Sequence, residues 1–346
     1  MRWSVGTMAT LRGAGLGNEV FPWAKAYLGA IAFDAHLVDP PFLLNPRRYD
    51  RELEVGGVAA TLRFIGVNAM PATVVDETLL DSINTVDYYD AMCKLRRTLN
   101  TELSSTLRHS TGMRGGYLGI RRARPFLRSR ILGTEMALRH LATLPLVPDG
   151  FITVGVHIRS GDFEDQKNIA PGIFNVAVPS AWYRDVIDSL RREIEGPLKI
   201  FVASELSAER LEDLFDLPSC DVTLLSGTAT EDLAVLANCD FIIPSISSYS
   251  LLAIFLSDAY YCWPQEHLND MGGWLSIWGH EIGPGGLVTA NSIAVQTSED
   301  VKVIRGLPMP ATPVWPSWFP GALTARALMR ASSTDLYMYG VVRRTR

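Results

Sequence analysis

The sequence predicts an α/β protein with parallel β-sheets, and three observations support that prediction. Residues 151–243 alternate short apolar runs with helical segments, which is the pattern of repeated strand–helix units. The first 40 residues also read as strand, glycine-rich turn, helix and strand. A chain of 346 residues exceeds the usual size of one hydrophobic core, so two domains are expected.

The elements of the first half follow from local composition. Residues 3–11 predict a strand, residues 13–18 (Gly-Ala-Gly-Leu-Gly-Asn) a turn, and residues 20–31 a helix. Residues 75–145 are predicted to be mainly helical. The turn-forming residues 144–150 favour a domain boundary just before the next strand.

The second half gives a clearer alternation of elements. Strands are expected at 151–156, 199–203, 222–225 and 240–243, and helices at 180–195, 207–215, 230–238, from Leu251 onward and near 320–330. Ser180 is expected to cap the first of these helices. The resulting domains are an amino-terminal lobe of residues 1–149, a second lobe of residues 150–310, and a carboxyl-terminal helix and tail of residues 311–346.

Composition describes an ordinary globular protein, with 47% hydrophobic and 20% charged residues. The net charge of −5 argues against a general nucleic-acid binder. Residues 94–139 nevertheless hold 11 Lys and Arg against only Glu102 and Glu135. This basic segment is either the solvated face of helices or, at most, a peripheral contact with an anionic membrane surface.

The four cysteines are scattered and show no metal-ligand spacing. No metal is therefore expected, and the thiols are typical of a reducing compartment. The first residues lack the apolar stretch of a secretory signal, and residues 241–263 contain too many polar groups for a membrane span. We expect a cytoplasmic protein.

The most informative stretch is the apolar run 151–156 and the polar residues that follow it. His157, Arg159 and Asp162 come at the end of this predicted strand. Buried parallel strands that deliver polar groups at their carboxyl ends build ligand sites in open α/β sheets. A guanidinium is always charged and matches phosphate oxygens bidentately. The alternative is a solvated turn without a ligand.

Other polar residues lie at or beyond the carboxyl ends of the following strands. These residues are Ser204, Asp232, Ser247 and Ser248. Each has a structural alternative, because serines cap helices and an acid in a first helical turn is stabilised by the helix dipole. Since parallel strands bring such ends to one edge of a sheet, the set predicts a site for a nucleoside diphosphate. There is no P-loop lysine and no carboxylate cluster for Mg²⁺, which favours a nucleotide-sugar transferase over a nucleotide hydrolase.

The glycine-rich turn supports a rival prediction. Residues 13–18 nearly match the dinucleotide fingerprint GxGxxG, but Asn18 occupies the third glycine position. Asp34 or Asp39 would be the acidic residue that binds a ribose. This alternative is an NAD(P)- or flavin-dependent oxidoreductase, and a turn without any ligand is the structural alternative.

Taken in order, the motifs resemble those of the GDP-fucose-dependent fucosyltransferases, most closely the bacterial-type α1,2 branch, which is related to the α1,6 and protein O-fucosyl branches. Residues 15–21 (GLGNEVF) resemble the opening GGLGNQ[LM]F, and residues 157–163 (HIRSGDF) resemble HxRRGDY. Residues 231–250 are similar to the block DLxxMxxC…NSSFS. The chain departs from the family at Glu19, Ser160 and Ile246, where Gln, Arg and Asn are usual.

The resemblance implies a GT-B architecture, with two Rossmann-like lobes and a cleft between them, in which residues 1–149 form the acceptor-side lobe and residues 150–310 the lobe that binds the GDP-sugar. It also implies inverting, metal-independent transfer of fucose from GDP-fucose to a hydroxyl of a glycan or glycoconjugate, with no cofactor. Arg159 would bind the β-phosphate, where charge builds as the sugar–phosphate bond breaks. His157 and Asp232 would hold the guanosine portion.

The resemblance assigns the remaining donor contacts as well. Ser204, Ser247 and Ser248 belong to the donor-binding set, and Gly15, Gly17 and Asn18 form the turn that would close over the donor. The acceptor hydroxyl needs a base, for which the carboxylates Glu19, Asp162, Glu164 and Asp165 are all candidates. Asp162 is alternatively an ion-pair partner that orients Arg159. A non-catalytic nucleotide-sugar-binding protein is a further alternative.

Overall fold

The computed structural model describes residues 1–8, 13–83, 87–99, 106–144, 147–159, 177–215, 220–264 and 306–332. The predicted base candidates Asp162, Glu164 and Asp165 lie outside these ranges. The chain divides into two compact units, Met1–Thr134 and Glu135–Arg346. The boundary expected at 149/150, and the acceptor and donor roles assigned to the lobes, stay predictions.

The first unit is built on a four-stranded parallel sheet with the order β2-β1-β4-β3. Its strands are β1 (Trp3–Gly6), β2 (His36–Val38), β3 (Ala72–Val75) and β4 (Thr106–His109). Its helices are α1 (Leu16–Phe33), α2 (Tyr49–Leu53), α3 (Val58–Asn68), α4 (Glu77–Asp81), α5 (Tyr88–Thr98), α6 (Gly116–Gly119) and α7 (Arg124–Ile131), with short 3₁₀ turns at Phe42–Leu44 and Arg121–Ala123.

Helix α1 packs tightly against the end of β1. A Cβ atom at Gly6 would lie 2.3 Å from the carbonyl oxygen of Pro22, so only glycine allows this approach. Most of α1 is buried, including Val20, Phe21 and Trp23. Burial of these large apolar side chains is the main favourable contribution to the stability of this unit.

The second unit contains a six-stranded sheet with the order β10-β9-β8-β5-β6-β7, in which every pairing is parallel. Its strands are β5 (Ile152–Ile158), β6 (Leu198–Ser204), β7 (Cys220–Leu224), β8 (Phe241–Ile243), β9 (Tyr260–Pro264) and β10 (Gly306–Met309). Its helices are α8 (Glu135–Thr143), α9 (Ser180–Glu193), α10 (Ala208–Phe215), α11 (Ala229–Ala237), α12 (Ser248–Leu256) and α13 (Phe319–Ser332).

The predicted α/β class with parallel sheets is confirmed, and several element predictions need correction. Helix α1 begins at Leu16 rather than residue 20, because Gly15 already serves as its N-cap. The segment 75–145 is not only helical, since it contains β4. Ser180 is the first residue of α9 and not its cap; Pro179 occupies the cap position without a side-chain hydrogen bond.

The basic segment 94–139 is largely engaged by contacts within its own unit. Arg121 and Arg122 both pair with Asp87, at 3.1 and 3.3 Å, and Arg114 pairs with Asp81. Such pairing reduces the charge available to an outside surface. None of the helices in the described ranges combines the length and apolar character needed to cross a bilayer.

A buried carboxylate holds the carboxyl-terminal helix α13 against the amino ends of the central strands. Asp240 is fully buried and accepts hydrogen bonds from the backbone N–H and hydroxyl of Thr153 at 2.9 and 2.7 Å. Arg330 of α13 donates to the same carboxylate at 3.0 Å and to the carbonyl oxygen of Phe151. The charge of Asp240 is therefore compensated from two elements.

We expect Asp240→Ala to lower the free energy of unfolding by about 3 kcal/mol, because the change leaves a partly buried guanidinium and a buried hydroxyl without their acceptor. Urea unfolding followed by circular dichroism measures this loss. The control is Arg139→Ala, which breaks an exposed pair with Glu135 and is expected to cost only about 0.3 kcal/mol. Equal effects of the two variants would contradict the proposed anchoring role.

Candidate functional site

The second sheet reverses its strand order between β5 and β8. From β5 the chain builds outward through β6 and β7 on one side, and through β8, β9 and β10 on the other. This is the order of doubly wound dinucleotide-binding folds, and ligands in such sheets bind beyond the carboxyl ends of the two strands at the reversal. Those ends carry His157 at the penultimate position of β5, Arg159 directly after β5, and Ser245 after β8.

Hydrogen bonds connect the His157 side chain to two serines that follow β8, across the point where the strand order reverses. Its Nδ1 atom lies 2.5 Å from the hydroxyl of Ser250 and 2.9 Å from that of Ser245, and all three residues are buried. Burial lowers the pKa of His157 to about 3, and the neighbouring charge of Arg159 acts in the same direction. His157 is therefore a neutral hydrogen-bonding group across the whole physiological range.

Arg159 follows β5 and forms an ion pair with Glu205, which follows the adjacent strand β6. The pairing of Ile158 with Ser204 brings these two strand ends to the same level of the sheet. The Arg159 side chain is 20% exposed, so its charge remains accessible to a ligand. Ser204 stabilises the turn after β6, where its hydroxyl accepts the N–H of Leu206 at 3.0 Å.

The amino terminus of α12 is the third part of this edge. Ser247 is the N-cap residue, and its hydroxyl accepts the N–H of Tyr249 at 3.1 Å. Ser248 is the first residue of the helix. The Tyr249 ring lies 4.9 Å from the ring of His157. The serines therefore start a helix directly beside His157, where N–H groups and the helix dipole favour an anion.

Asp232 lies in the first turn of α11. Thr228 caps this helix in a capping box with Glu231, and the carboxylate of Asp232 accepts the N–H of Gly227 at 3.0 Å. The hydroxyl of Tyr249 donates to the carbonyl oxygen of Ala229 at 2.6 Å, which joins the starts of α11 and α12. Asp232 thus has a fixed orientation on a helix tied to the serine-bearing one.

The structure thus places the predicted residues of the second unit at a single sheet edge. These residues are His157, Arg159, Ser204, Asp232, Ser247 and Ser248. Reasoning from the sequence did not select Glu205, Ser245 or Ser250 as functional residues. The signal that points to Glu205 is its position after a strand, next to Ser204. Ser250 is the last serine of the motif block 231–250, and Ser245 lies in the same block.

The glycine-rich turn lies in the first unit and is held by side chains from the following loop. Gly13 has a φ of +65°, which favours glycine, and Gly15 is the N-cap of α1. Asn45 donates to the carbonyl oxygen of Ala14 and to the carboxylate of Glu19, each at 3.1 Å. Glu19 is 1% exposed. Its carboxylate therefore fastens the turn, and its predicted role as a base stays a prediction.

Within the same turn, Gly17 is buried and Asn18 is exposed. The N–H of Leu16, the first residue of α1, donates to the hydroxyl of Tyr49 at 2.9 Å. This contact uses one of the amide groups that a phosphate at the helix start would otherwise accept from. The predicted donor contacts of Gly15, Gly17 and Asn18 stay predictions.

A buried polar cluster occupies the space between α1 and the end of β4. The Lys25 ammonium donates to the hydroxyl of Thr111 at 2.8 Å and to the carbonyl oxygen of Gly112 at 2.7 Å. Close by, His109 contacts the hydroxyls of Ser4 and Tyr88 at 2.7 and 2.8 Å. Burial lowers the pKa of Lys25 to about 7, with Arg114 contributing in the same direction.

Comparison with known proteins gives matches among solved structures only. No protein-family model and no curated protein matches the chain. It is similar to the NodZ alpha-1,6-fucosyltransferase soaked with GDP-fucose, at 17% identity and a TM-score of 0.39, with 74% of this chain and 90% of that chain covered. The fucosyltransferase NodZ from Bradyrhizobium matches at 16% identity and a TM-score of 0.39, with 74% and 91% covered. The function proposed below rests on the geometry of the second sheet.

We expect the free energy of unfolding of the chain to rise between about pH 7 and about pH 10 through Lys25. The folded lysine is neutral above its pKa of about 7, whereas the unfolded lysine still binds a proton in this window, so raising the pH favours the folded state. Urea unfolding at several pH values measures this slope in the wild type and in Lys25→Met. The exposed Lys94→Met is the control. An unchanged slope in Lys25→Met would contradict the buried, neutral lysine.

Proposed function

We propose that the chain is a glycosyltransferase that transfers fucose from GDP-fucose to a hydroxyl of a glycan or glycoconjugate. One observation carries the proposal: the strand-order reversal brings the His157–Arg159 strand end beside the serine-rich start of α12. A site with one accessible guanidinium, a helix amino terminus and a neutral histidine is suited to a diphosphate.

The parallel α/β fold of both units is consistent with the GT-B architecture that the sequence resemblance implies. The residues that resemble the donor-binding motifs of fucosyltransferases are the ones at the sheet edge in the second unit. The identities of the sugar (fucose) and of the nucleobase (guanine) come from the sequence resemblance, because the geometry by itself indicates only a nucleoside diphosphate. The α1,2 linkage and the identity of the acceptor stay predictions.

Arg159 would stabilise the leaving group. As the bond between the sugar and the β-phosphate breaks, negative charge builds on the departing diphosphate, and a guanidinium that is already in place lowers the barrier without reorganisation. Glu205 holds the guanidinium from one side, while the helix start of α12 offers N–H groups to the same anion. Inverting displacement without a metal ion is the mechanism we propose.

Asp232 would select guanine over adenine as the nucleobase of the donor. Guanine presents two adjacent N–H donors, and a carboxylate accepts both. Adenine presents a different edge and leaves such a carboxylate without that pair of donors. The hydrogen bond from Gly227 orients the Asp232 carboxylate at the start of α11 before any ligand arrives.

The base that takes the acceptor proton is among Glu19, Asp162, Glu164 and Asp165. Of these four, only Glu19 lies in the part of the chain that the structure describes, and its carboxylate is buried under the glycine-rich turn. We therefore propose that Glu19 acts by positioning this turn, and that the base comes from residues 162–165.

The oxidoreductase alternative depends on the glycine-rich turn of the first unit, where Asn18 replaces the third glycine of the fingerprint. A change in NAD(P)H absorbance on turnover, or a bound flavin chromophore, would support it. GDP binding without either transfer or hydrolysis of GDP-fucose would support the non-catalytic alternative. An acceptor panel with labelled GDP-fucose separates the transferase from both alternatives.

We expect Arg159→Ala to lower kcat for fucosyl transfer or GDP-fucose hydrolysis by about 10²- to 10³-fold, because the variant loses charge stabilisation of the leaving group. The thermal unfolding midpoint should change little, since the side chain is partly exposed. Arg192→Ala, at an exposed position of α9, is the matched control. Near-wild-type turnover of Arg159→Ala would refute the proposed role.

We expect isothermal titration of the wild type to show about tenfold or greater preference for GDP over ADP, because only guanine pairs with the Asp232 carboxylate. Asp232→Ala should remove this preference and leave the affinity for ADP nearly unchanged. The exposed Asp185→Ala should retain the preference. Equal binding of GDP and ADP by the wild type would rule out the selection of guanine.

A further inference from the structure

We propose that Ser245 and Ser250 fix His157 as the neutral tautomer that carries its proton on Nε2. The site then offers a permanent hydrogen-bond donor on the far side of the ring. The assignment concerns a positioning function of two serines to which no ligand contact is assigned above. The tautomer follows from the hydrogen bonds of the cluster, and only its use toward a nucleotide rests on the proposed function.

Three hydrogen-bond donors meet in this cluster. The backbone N–H of Ser245 donates to the hydroxyl oxygen of Ser250 at 3.1 Å. The two serine hydroxyls lie 3.1 Å apart, and both lie within hydrogen-bond distance of Nδ1 of His157. Three hydrogens, two on hydroxyls and one on an amide, therefore need acceptors in a space closed to water.

One arrangement satisfies all three. The Ser250 hydroxyl donates to Nδ1, the Ser245 hydroxyl donates to the Ser250 oxygen, and the Ser245 amide donates to the second lone pair of that oxygen. This arrangement requires a lone pair on Nδ1. The proton of the neutral ring must then be on Nε2.

The tautomer that carries its proton on Nδ1 does not provide an acceptor for every hydrogen of the cluster. A hydrogen on Nδ1 would use a serine oxygen as its acceptor and would leave one of the two serine hydroxyl hydrogens without one. Among the contacts of the described residues, the two hydroxyl groups have no other acceptor than each other and Nδ1. A buried donor without a partner is costly, so this tautomer is disfavoured.

The surroundings also disfavour a doubly protonated ring. Arg159, two residues along the chain, places a positive charge nearby, and the ring of Tyr249 covers one side of His157. Burial and Arg159 together lower the pKa of His157 to about 3. Glu205, which follows the adjacent strand, is already paired with the Arg159 guanidinium.

This arrangement has a consequence for ligand recognition. Nε2–H recognises an acceptor atom, such as a phosphate, ribose or carbonyl oxygen, and its strength does not change with protonation between about pH 5 and pH 8. Under the proposed function, Arg159 is the charged member of the pair Arg159 and His157, while His157 orients the ligand through a neutral hydrogen bond. Binding of GDP should therefore owe no pH dependence to His157.

The experiment is two-dimensional NMR of the full chain labelled with ¹⁵N-histidine, with the His157 signals assigned by their loss in His157→Gln. We expect Nδ1 to resonate as an unprotonated nitrogen and Nε2 as a protonated one, without titration between about pH 5 and pH 8. A protonated Nδ1, or a titration near the ordinary pKa of about 6.5, would overturn the proposal. This measurement needs no variant that might fold poorly.

Variants test the serines themselves. Each single change, Ser245→Ala or Ser250→Ala, leaves one hydroxyl to donate to Nδ1, so the tautomer should persist. In the double variant Nδ1 loses both donors, so the ring should show mixed tautomers, while burial and Arg159 still keep it neutral. The control is Ser257→Ala, which removes a buried hydroxyl at the end of α12 that donates to the carbonyl oxygen of Ile254. An unchanged His157 spectrum in the folded double variant would overturn the proposal.

GDP titrations separate this inference from the proposed function. We expect the double variant to bind GDP about tenfold more weakly than the wild type, because its His157 ring is no longer held with the proton on Nε2. The predicted spectrum without GDP binding would reject the proposed function and leave the tautomer assignment standing. GDP binding with a protonated Nδ1 would reject the tautomer alone.

Discussion

The reversal of strand order between β5 and β8 is the constraint on which the rest of the site depends. Two neighbouring parallel strands here send their chains to opposite sides, so no crossover covers the sheet edge between them. His157 and Ser245 stand at the two ends that flank this opening. The hydrogen bond between these two side chains links the strands beyond their last backbone pairing, and it lines this edge of the sheet with polar groups.

In this site the positive charge and the directional hydrogen-bond donor belong to two different residues, Arg159 and His157. Arg159 remains partly exposed and paired with Glu205, so it keeps its charge at little desolvation cost. His157 is buried, and a second cation there would be repelled by the first. A neutral histidine beside a charged arginine is thus the stable arrangement, and it also suits recognition of a phosphate ester. The serines of α12 contribute both an N-cap and the partner of His157, which explains why this helix start holds more hydroxyl groups than capping requires.

Much of this arrangement could be predicted from the sequence, because it depends on local patterns. The apolar run before His157 identifies β5, and the spacing of the later runs identifies β6 and β8. The convergence of Arg159, Ser204 and Ser247 then follows from the rule that parallel strands share one carboxyl edge. The helix predicted over 230–238 corresponds to α11, which Thr228 and Glu231 cap in a capping box.

Other features could not be read because they depend on contacts distant in sequence. Strand β4 (Thr106–His109) has polar residues inside a basic segment, so no alternation reveals it, and it forms only through pairing with β1 and β3. Ser250 reads as one of several serines at a helix start, and its contact with His157, 93 positions earlier, exists only in the fold. Glu19 reads as a candidate base, but in the fold it is buried and accepts a hydrogen bond from Asn45. In each case tertiary packing decided the role of the side chain.

The most direct test of the central claim is a crystal structure of the full chain with GDP bound. The account predicts electron density for the diphosphate at the carboxyl edge of the second sheet, with a phosphate oxygen bonded to the Arg159 guanidinium and guanine adjacent to Asp232. GDP bound at any other surface of the second unit, with the Arg159 guanidinium bonded only to Glu205, would contradict it.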